Sequence, residues 1–219
     1  MRTRKEIKGE AKELLKANFD NVLKASLFLI LLYFISGFTV GFSFGLHEQT
    51  SNIANILTFA GTSIVLSIAL DFIATVLSVG LYEAVITKDF SLEKVFKYFQ
   101  NGKWKKIILV YLLMNIFIIL WAFIPLAGPI IAIIKGYGYS MALYLFTKEE
   151  AELTTARSYI KRSLELMDGH KLDYLLFNLS FIPWLLLTTF TFGLAYVWVF
   201  PYIFIANVIF FEDIYCLKN

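Results

Sequence analysis

The chain has 219 residues, of which 58% are apolar and only 17% charged, where a soluble domain carries about a quarter charged. Its net charge of +3 comes from dispersed basic residues, which excludes a nucleic-acid surface, and a single cysteine, Cys216, excludes an internal disulfide. The apolar residues fall in runs that suit a hydrocarbon core of about 30 Å, which takes about 20 helical residues. A β-barrel would show short alternating segments instead. The expected class is therefore all-α: a single polytopic membrane domain over 1–219, with six transmembrane helices in three hairpins and amphipathic helices at the cytoplasmic interface.

Residues 1–24 open the chain with a basic amphipathic pattern, helical over about 3–20. Ile7, Ala11, Leu14, Leu15, Phe19 and Val22 recur at helical spacing, with Arg4, Lys5, Lys8, Lys12 and Lys16 around them. That pattern suits a helix lying over anionic lipid, and no Ala-x-Ala site follows a short apolar region as in a cleavable signal. The first span, about 23–46, carries Gly37, Gly41 and Gly45 at small-xxx-small spacing. Such glycines let another backbone approach, either inside the bundle or at a dimer seam.

A polar loop leads to the second span, about 56–86, which is longer than one crossing needs. It holds Asp71 in its middle and Glu83 near its inner end. A short amphipathic helix at 91–100 shows Leu92, Val95, Phe96 and Phe99 on one face, and Asn101-Gly102 ends it. The third and fourth spans, about 107–124 and 130–146, meet at Pro125-Leu-Ala-Gly-Pro129. Residues 149–168 form a further amphipathic helix with the stripe Leu153, Ala156, Ile160, Leu164 and Met167, ended by Asp168-Gly169. The fifth span, about 173–190, is broken by Pro183, and the sixth, about 193–211, by Pro201.

The N-terminal segment and the second and fourth connections hold every Lys and Arg except Lys135 and Lys218, and the other three connections hold none. The positive-inside rule then places both termini in the cytoplasm. The last two hairpins align without gaps at an offset of 63: Trp121 on Trp184, Tyr139 on Tyr202, Glu149-Glu150 on Glu212-Asp213. These would be parallel repeats.

Several stretches carry a resemblance: Ile124-Pro125, Ile133-Ile-Lys-Gly-Tyr-Gly-Tyr-Ser-Met141, Ser163-Leu-Glu-Leu-Met-Asp-Gly-His-Lys171, Leu179-Ser-Phe-Ile-Pro-Trp184 and Pro201-Tyr202. With these the chain resembles an uncharacterised bacterial integral-membrane family, domain-of-unknown-function family 975. That family is similar to the membrane domain attached to some glycerophosphodiester phosphodiesterases. The resemblance implies a multi-span fold in a bacterial plasma membrane and transfers no activity.

Lys135 is the cation that the sequence places within a span, at a cost of about 2.5–3.5 kcal/mol on insertion scales, so it is expected to face the bundle and have a partner. At about 1.5 Å per residue, Lys135 and Asp71 reach comparable depths. They would form either a solute or proton site, or a pair that orients two helices; carbonyls freed by Pro129 are a further partner for the lysine. Tyr137, Tyr139, Tyr144, Trp198 and Tyr202 are candidates to line a polar cavity, although rings of this kind also supply interfacial belts. Pro125, Pro129, Pro183 and Pro201 mark helix breaks. No catalytic triad, phosphate loop or metal-ligand spacing appears, so no enzyme, cofactor or metal is expected. The expected role is transport, or assistance to transport, of an amphiphilic or anionic solute near Lys135. The alternative is a non-catalytic scaffold or immunity-type protein that binds a membrane partner or peptide. The partners expected are the lipid bilayer, with anionic lipid at the cytoplasmic face, and a second copy or another membrane protein.

Overall fold

The computed structural model describes residues 1–47, 53–149 and 151–218; side chains are described for 1–39, 58, 61–149 and 151–218. Among the described residues there is no strand. The elements are α1 (Arg4–Ala17), α2 (Phe19–His47), α3 (Ile53–Thr87), α4 (Leu92–Gln100), α5 (Trp104–Ala122) and α6 (Gly128–Tyr139). A 3-10 turn (Tyr144–Thr147) follows, then α7 (Ala156–Leu166), α8 (Lys171–Leu179), α9 (Ile182–Phe190) and α10 (Tyr196–Lys218).

Six segments are long and apolar enough to cross a membrane: Phe19–Thr39, Gly61–Thr87, Trp104–Ala122, Gly128–Thr147, Lys171–Phe190 and Tyr196–Lys218. Their outward faces are apolar as well. Only 11% of the third and fifth segments is buried within the chain, and Leu31, Phe34, Val65, Leu120 and Leu186 are all exposed. Water would not tolerate apolar surface on that scale; lipid does.

Local chemistry sets the ends of these elements. Thr3 caps α1 through a reciprocal capping box with Glu6. Thr155 does the same for α7 with Ser158, so that helix begins at Ala156 and not near 149 as the apolar stripe suggests. Gly102 and Gly169, with φ of +68° and +82°, follow the ends of α4 and α7. Pro129 and Pro183 occupy the first turns of α6 and α9, where a missing N–H costs nothing. The fifth segment therefore splits into α8 and α9, whereas Pro201 sits inside a continuous α10. At Gly128 a Cβ would lie 2.5 Å from the Ala122 carbonyl oxygen, so the turn between α5 and α6 closes only on glycine.

The packing follows one rule repeated around a ring. Each second span touches the next short surface helix and the next first span: α3 packs on α4 and α5, α6 on α7 and α8, and α10 returns to α1 and α2. Aromatic pairs mark the three seams. Phe72 meets Tyr111 at 6.0 Å between centroids, Tyr137 meets Tyr174 at 5.5 Å, and Phe200 meets Tyr33 at 6.4 Å. Equivalent contacts also recur at the offset of 63. Trp121 bonds Tyr139 and the Trp184 ring packs on Tyr202; Asn115 donates to the Tyr111 carbonyl and Asn178 to that of Tyr174.

The short helices lie on this ring with their apolar sides against protein. In α1, Ile7 and Ala11 are wholly buried and the helix packs on α10. In α4 the buried face is Val95 and Tyr98, while Leu92, expected on the apolar side, is 53% exposed. Val95 presses its backbone on α3, where a Cβ at Gly80 would lie 2.2 Å from the Val95 carbonyl oxygen. Gly37, expected to admit a backbone, is exposed and a Cβ there would meet nothing within 4 Å. The surroundings of Gly41 and Gly45 lie outside the described residues.

Gly80→Val drives the α3–α4 contact apart and destabilises the protein by about 1–3 kcal/mol. Gly9→Ala, on the open face of α1, stabilises its helix by about 0.5–1 kcal/mol; thermal unfolding in detergent micelles compares the two. Glu149 is only 5% exposed and faces the Arg162 Nε at 3.0 Å and 3.1 Å. Arg162→Met strands that carboxylate and costs about 3–5 kcal/mol, and the double variant with Glu149→Leu recovers much of the loss in the same measurement.

Candidate functional site

Two intramembrane charges stand at the centre of the expected site, and the structure sends them to different neighbours. Asp71, midway along α3, accepts a hydrogen bond from the Ser36 hydroxyl of α2 at 3.1 Å. Tyr33 and Tyr111 lie within electrostatic range of that carboxylate. Lys135, two turns into α6, holds its ammonium 5.1 Å from the centre of the Trp121 ring near the end of α5. Among the described residues no carboxylate lies within ion-pair distance of it. The expected Lys135–Asp71 pair therefore does not form. The reason is topological: α6 packs on α5, α7 and α8, while α3 packs on α2, α4, α5 and α10 and meets the fourth segment at its 3-10 turn, beyond α6.

The lysine ammonium rests on Trp121, close in sequence to the exposed turn at Phe123 and Leu126. Trp121 donates from Nε1 to the Tyr139 hydroxyl at 3.2 Å, and Tyr139 is buried against Phe117. A cation over an indole is worth about 0.5–2 kcal/mol, depending on how dry the site is. Lys135, Trp121 and Tyr139 thus make one compact group with a positive charge that no acid neutralises.

The remaining expected rings do not join it. Tyr137 packs edge-on against Tyr174, Tyr202 lies between Phe181 and Trp184, and Trp198 is 54% exposed on the apolar surface. Tyr144 is fully buried near the basic end, where its hydroxyl donates to Glu212. Tyr137 thus serves a seam, Tyr144 and Tyr202 pack within the bundle, and Trp198 faces outward.

The break after α6 has its own chemistry. The Ser163 hydroxyl of α7 donates to the Gly138 carbonyl at 2.8 Å and accepts from the Met141 N–H at 3.1 Å. One side chain so replaces the helical partners that the break removes. At Gly138 a Cβ would stand 2.7 Å from the Leu164 side chain and 3.3 Å from the Lys171 stem, so a larger residue there makes both side chains give way.

The acids near the basic ends of the second spans play a part the sequence assigned to none of them. Glu83 of α3 binds Lys97 of α4 at 2.6 Å, Glu149 binds Arg162 of α7, and Asp213 of α10 accepts from the Arg2 backbone N–H at 2.8 Å and its Nε at 2.6 Å. Glu212 adds Lys148 at 2.7 Å. The aspartate beside it raises the Arg2 guanidinium pKa further, through hydrogen bonding first and charge after a smaller opposing burial effect. Lys8 donates to the Ser180 carbonyl at 2.8 Å, at the junction of α8 and α9, and stands over Phe181. Burial lowers the Lys8 pKa, and nearby Arg4 adds to the effect. The doubling of Glu149-Glu150 at Glu212-Asp213 was the signal in the sequence that pointed to these positions. Among the described residues no group of three or more His, Cys, Asp or Glu is placed to hold a metal ion.

A family model described as protein of unknown function (DUF975) matches the chain over residues 1–135 and again over 126–218. No curated protein and no solved structure matches it. With the match running the length of the chain and six segments fit to cross a membrane, this protein belongs to that family.

Proposed function

We propose that this integral membrane protein handles an amphiphile with an anionic group, as a transporter or a component that assists transport, and that Lys135 receives the anion. The observation that carries this reading is the ammonium of Lys135, held at the bundle surface by an indole face and opposed by no carboxylate among the described residues. A membrane cation in that state favours an anionic partner. Trp121 and Tyr139 give the same site the amphipathic rings that suit a headgroup boundary. No step of bond chemistry is assigned, so the role is binding and movement and not catalysis.

In this reading the basic end faces the cytoplasm of a bacterial cell and the bundle sits in its plasma membrane. The three short helices α1, α4 and α7 are amphipathic and lie along the cytoplasmic interface, with Lys5, Lys12, Lys16 and Arg157 exposed toward anionic lipid. A second reading, a scaffold that binds a membrane partner, is favoured by the open face of α2 at Gly37 and Phe34.

Liposomes containing fluorescently tagged phosphatidylglycerol test the first reading. Lys135→Met is expected to lower binding or transbilayer movement of the tagged lipid about tenfold, the effect of losing about 1.4 kcal/mol, with Lys135→Arg close to wild type. Equal handling by Lys135→Met, in protein that still inserts and folds, overturns it. A stoichiometric membrane protein recovered with the chain under those conditions favours the scaffold.

A further inference from the structure

The ring has three seams, and two of them are bridged by the chain itself, through α4 and through α7. The third, between α10 and α2, closes without a covalent link. Along that seam, toward the end away from the basic residues, the helices part to leave a groove of about 600 Å³. Leu27, Ile30, Leu31 and Phe34 of α2 form one wall, and Leu194 and Val197 stand on the other. The α2 residues and Val197 belong to the apolar faces of two membrane-spanning segments, and Leu194 to the apolar turn that leads into α10, so the groove faces hydrocarbon along most of its length.

Two polar atoms interrupt the lining. Tyr33 and Tyr196 both border the groove, and both rings rest on Phe200, at 6.4 Å and 5.6 Å. Neither hydroxyl has a hydrogen-bond partner among the described residues. A hydroxyl in hydrocarbon without an acceptor costs free energy that lipid tails alone do not return. The occupant that satisfies both features has a saturated or unsaturated chain and a neutral acceptor oxygen near one end. A free carboxylate fits poorly, because the Asp71 charge is within range of Tyr33 and no lysine or arginine lines the groove.

We propose that the α2–α10 groove binds the acyl chain of an ester-linked membrane lipid, with Tyr33 and Tyr196 donating to the ester carbonyl. This site is separate from Lys135 and does not rest on the reading given for that residue. A second copy of the chain is the competing occupant, and it would cover the wall with a helix and leave the hydroxyls unsatisfied.

Native mass spectrometry of the full-length protein, released from micelles supplied with a diacyl phosphatidylcholine, tests the proposal. Wild type is expected to retain one lipid, and to retain the ester form several-fold better than the matching ether lipid. Ile30→Trp, which fills the groove, is expected to lose that lipid. Tyr33→Phe with Tyr196→Phe, a change too conservative to unfold the bundle, is expected to erase the preference for ester over ether. Lys135→Met is expected to leave retention unchanged. Undiminished retention in Ile30→Trp, no ester preference in wild type, or a dimer whose dissociation accompanies Ile30→Trp would each overturn the proposal.

Discussion

The structure depends on a carboxylate near the basic end of each second span that binds a cation of the surface helix belonging to the next unit. Glu83 with Lys97, Glu149 with Arg162, and Asp213 with Arg2 are the three instances, and the last joins the end of the chain to its beginning. Such pairs gain little in open solvent. Here the acids are largely buried, at 5% exposure for Glu149 and 9% for Asp213. Their geometry is set by several bonds at once: Asp213 takes both the backbone and the guanidinium of Arg2. What they contribute is chiefly placement. Each fixes the angle at which a short helix lies across the mouth of the bundle, and the apolar contacts of Ile7, Val95 and Tyr159 then add burial to a direction already chosen.

Lys135 is governed by the opposite logic. A lysine in a span has two ways to lower its cost: pair with an acid, or extend its stem along apolar surface until the ammonium reaches a wetter level. Lys135 pairs with no acid among the described residues and ends on Trp121. An internal pair with Asp71 would have spent the charge on architecture. The indole contact is weaker and leaves the ammonium open on its other side, and the proposed anion site rests on this difference. Asp71 is similarly occupied by a single weak donor, Ser36, so each charge is left largely to its own surroundings.

Much of the fold was legible because apolar run length reports directly on which segments can cross a membrane. The caps and stops at Gly102 and Gly169 follow from backbone geometry that glycine supplies cheaply. The start of α7 was misplaced because an apolar stripe carries no information about where hydrogen bonding begins; Thr155 and Ser158 decide that. The pairing of Lys135 failed for a different reason. Depth along a helix is readable from residue count, but azimuth and neighbour are not, and two charges at one depth meet only if their helices are adjacent. Gly37 meets no backbone within the chain, since spacing of small residues shows that a close approach is permitted and not with what it is made. The groove was invisible in sequence altogether, because it arises from the splay of two segments far apart in the chain.

The internal repeat supplies a way to separate scaffold from function. Among the positions that keep their residue type at an offset of 63, four pairs repeat their contacts: Trp121 and Trp184, Tyr139 and Tyr202, Tyr111 and Tyr174, Asn115 and Asn178. They hold seams or ends, and the same seam needs the same chemistry in each unit. Lys135 stands against Trp198 at that offset, one a cation on an indole and the other a ring exposed to lipid. The third unit closes against α1 and α2 with an indole, not a cation, at that position. The cost of a membrane lysine at that place is therefore not explained by folding. It is explained if the charge acts on something outside the chain.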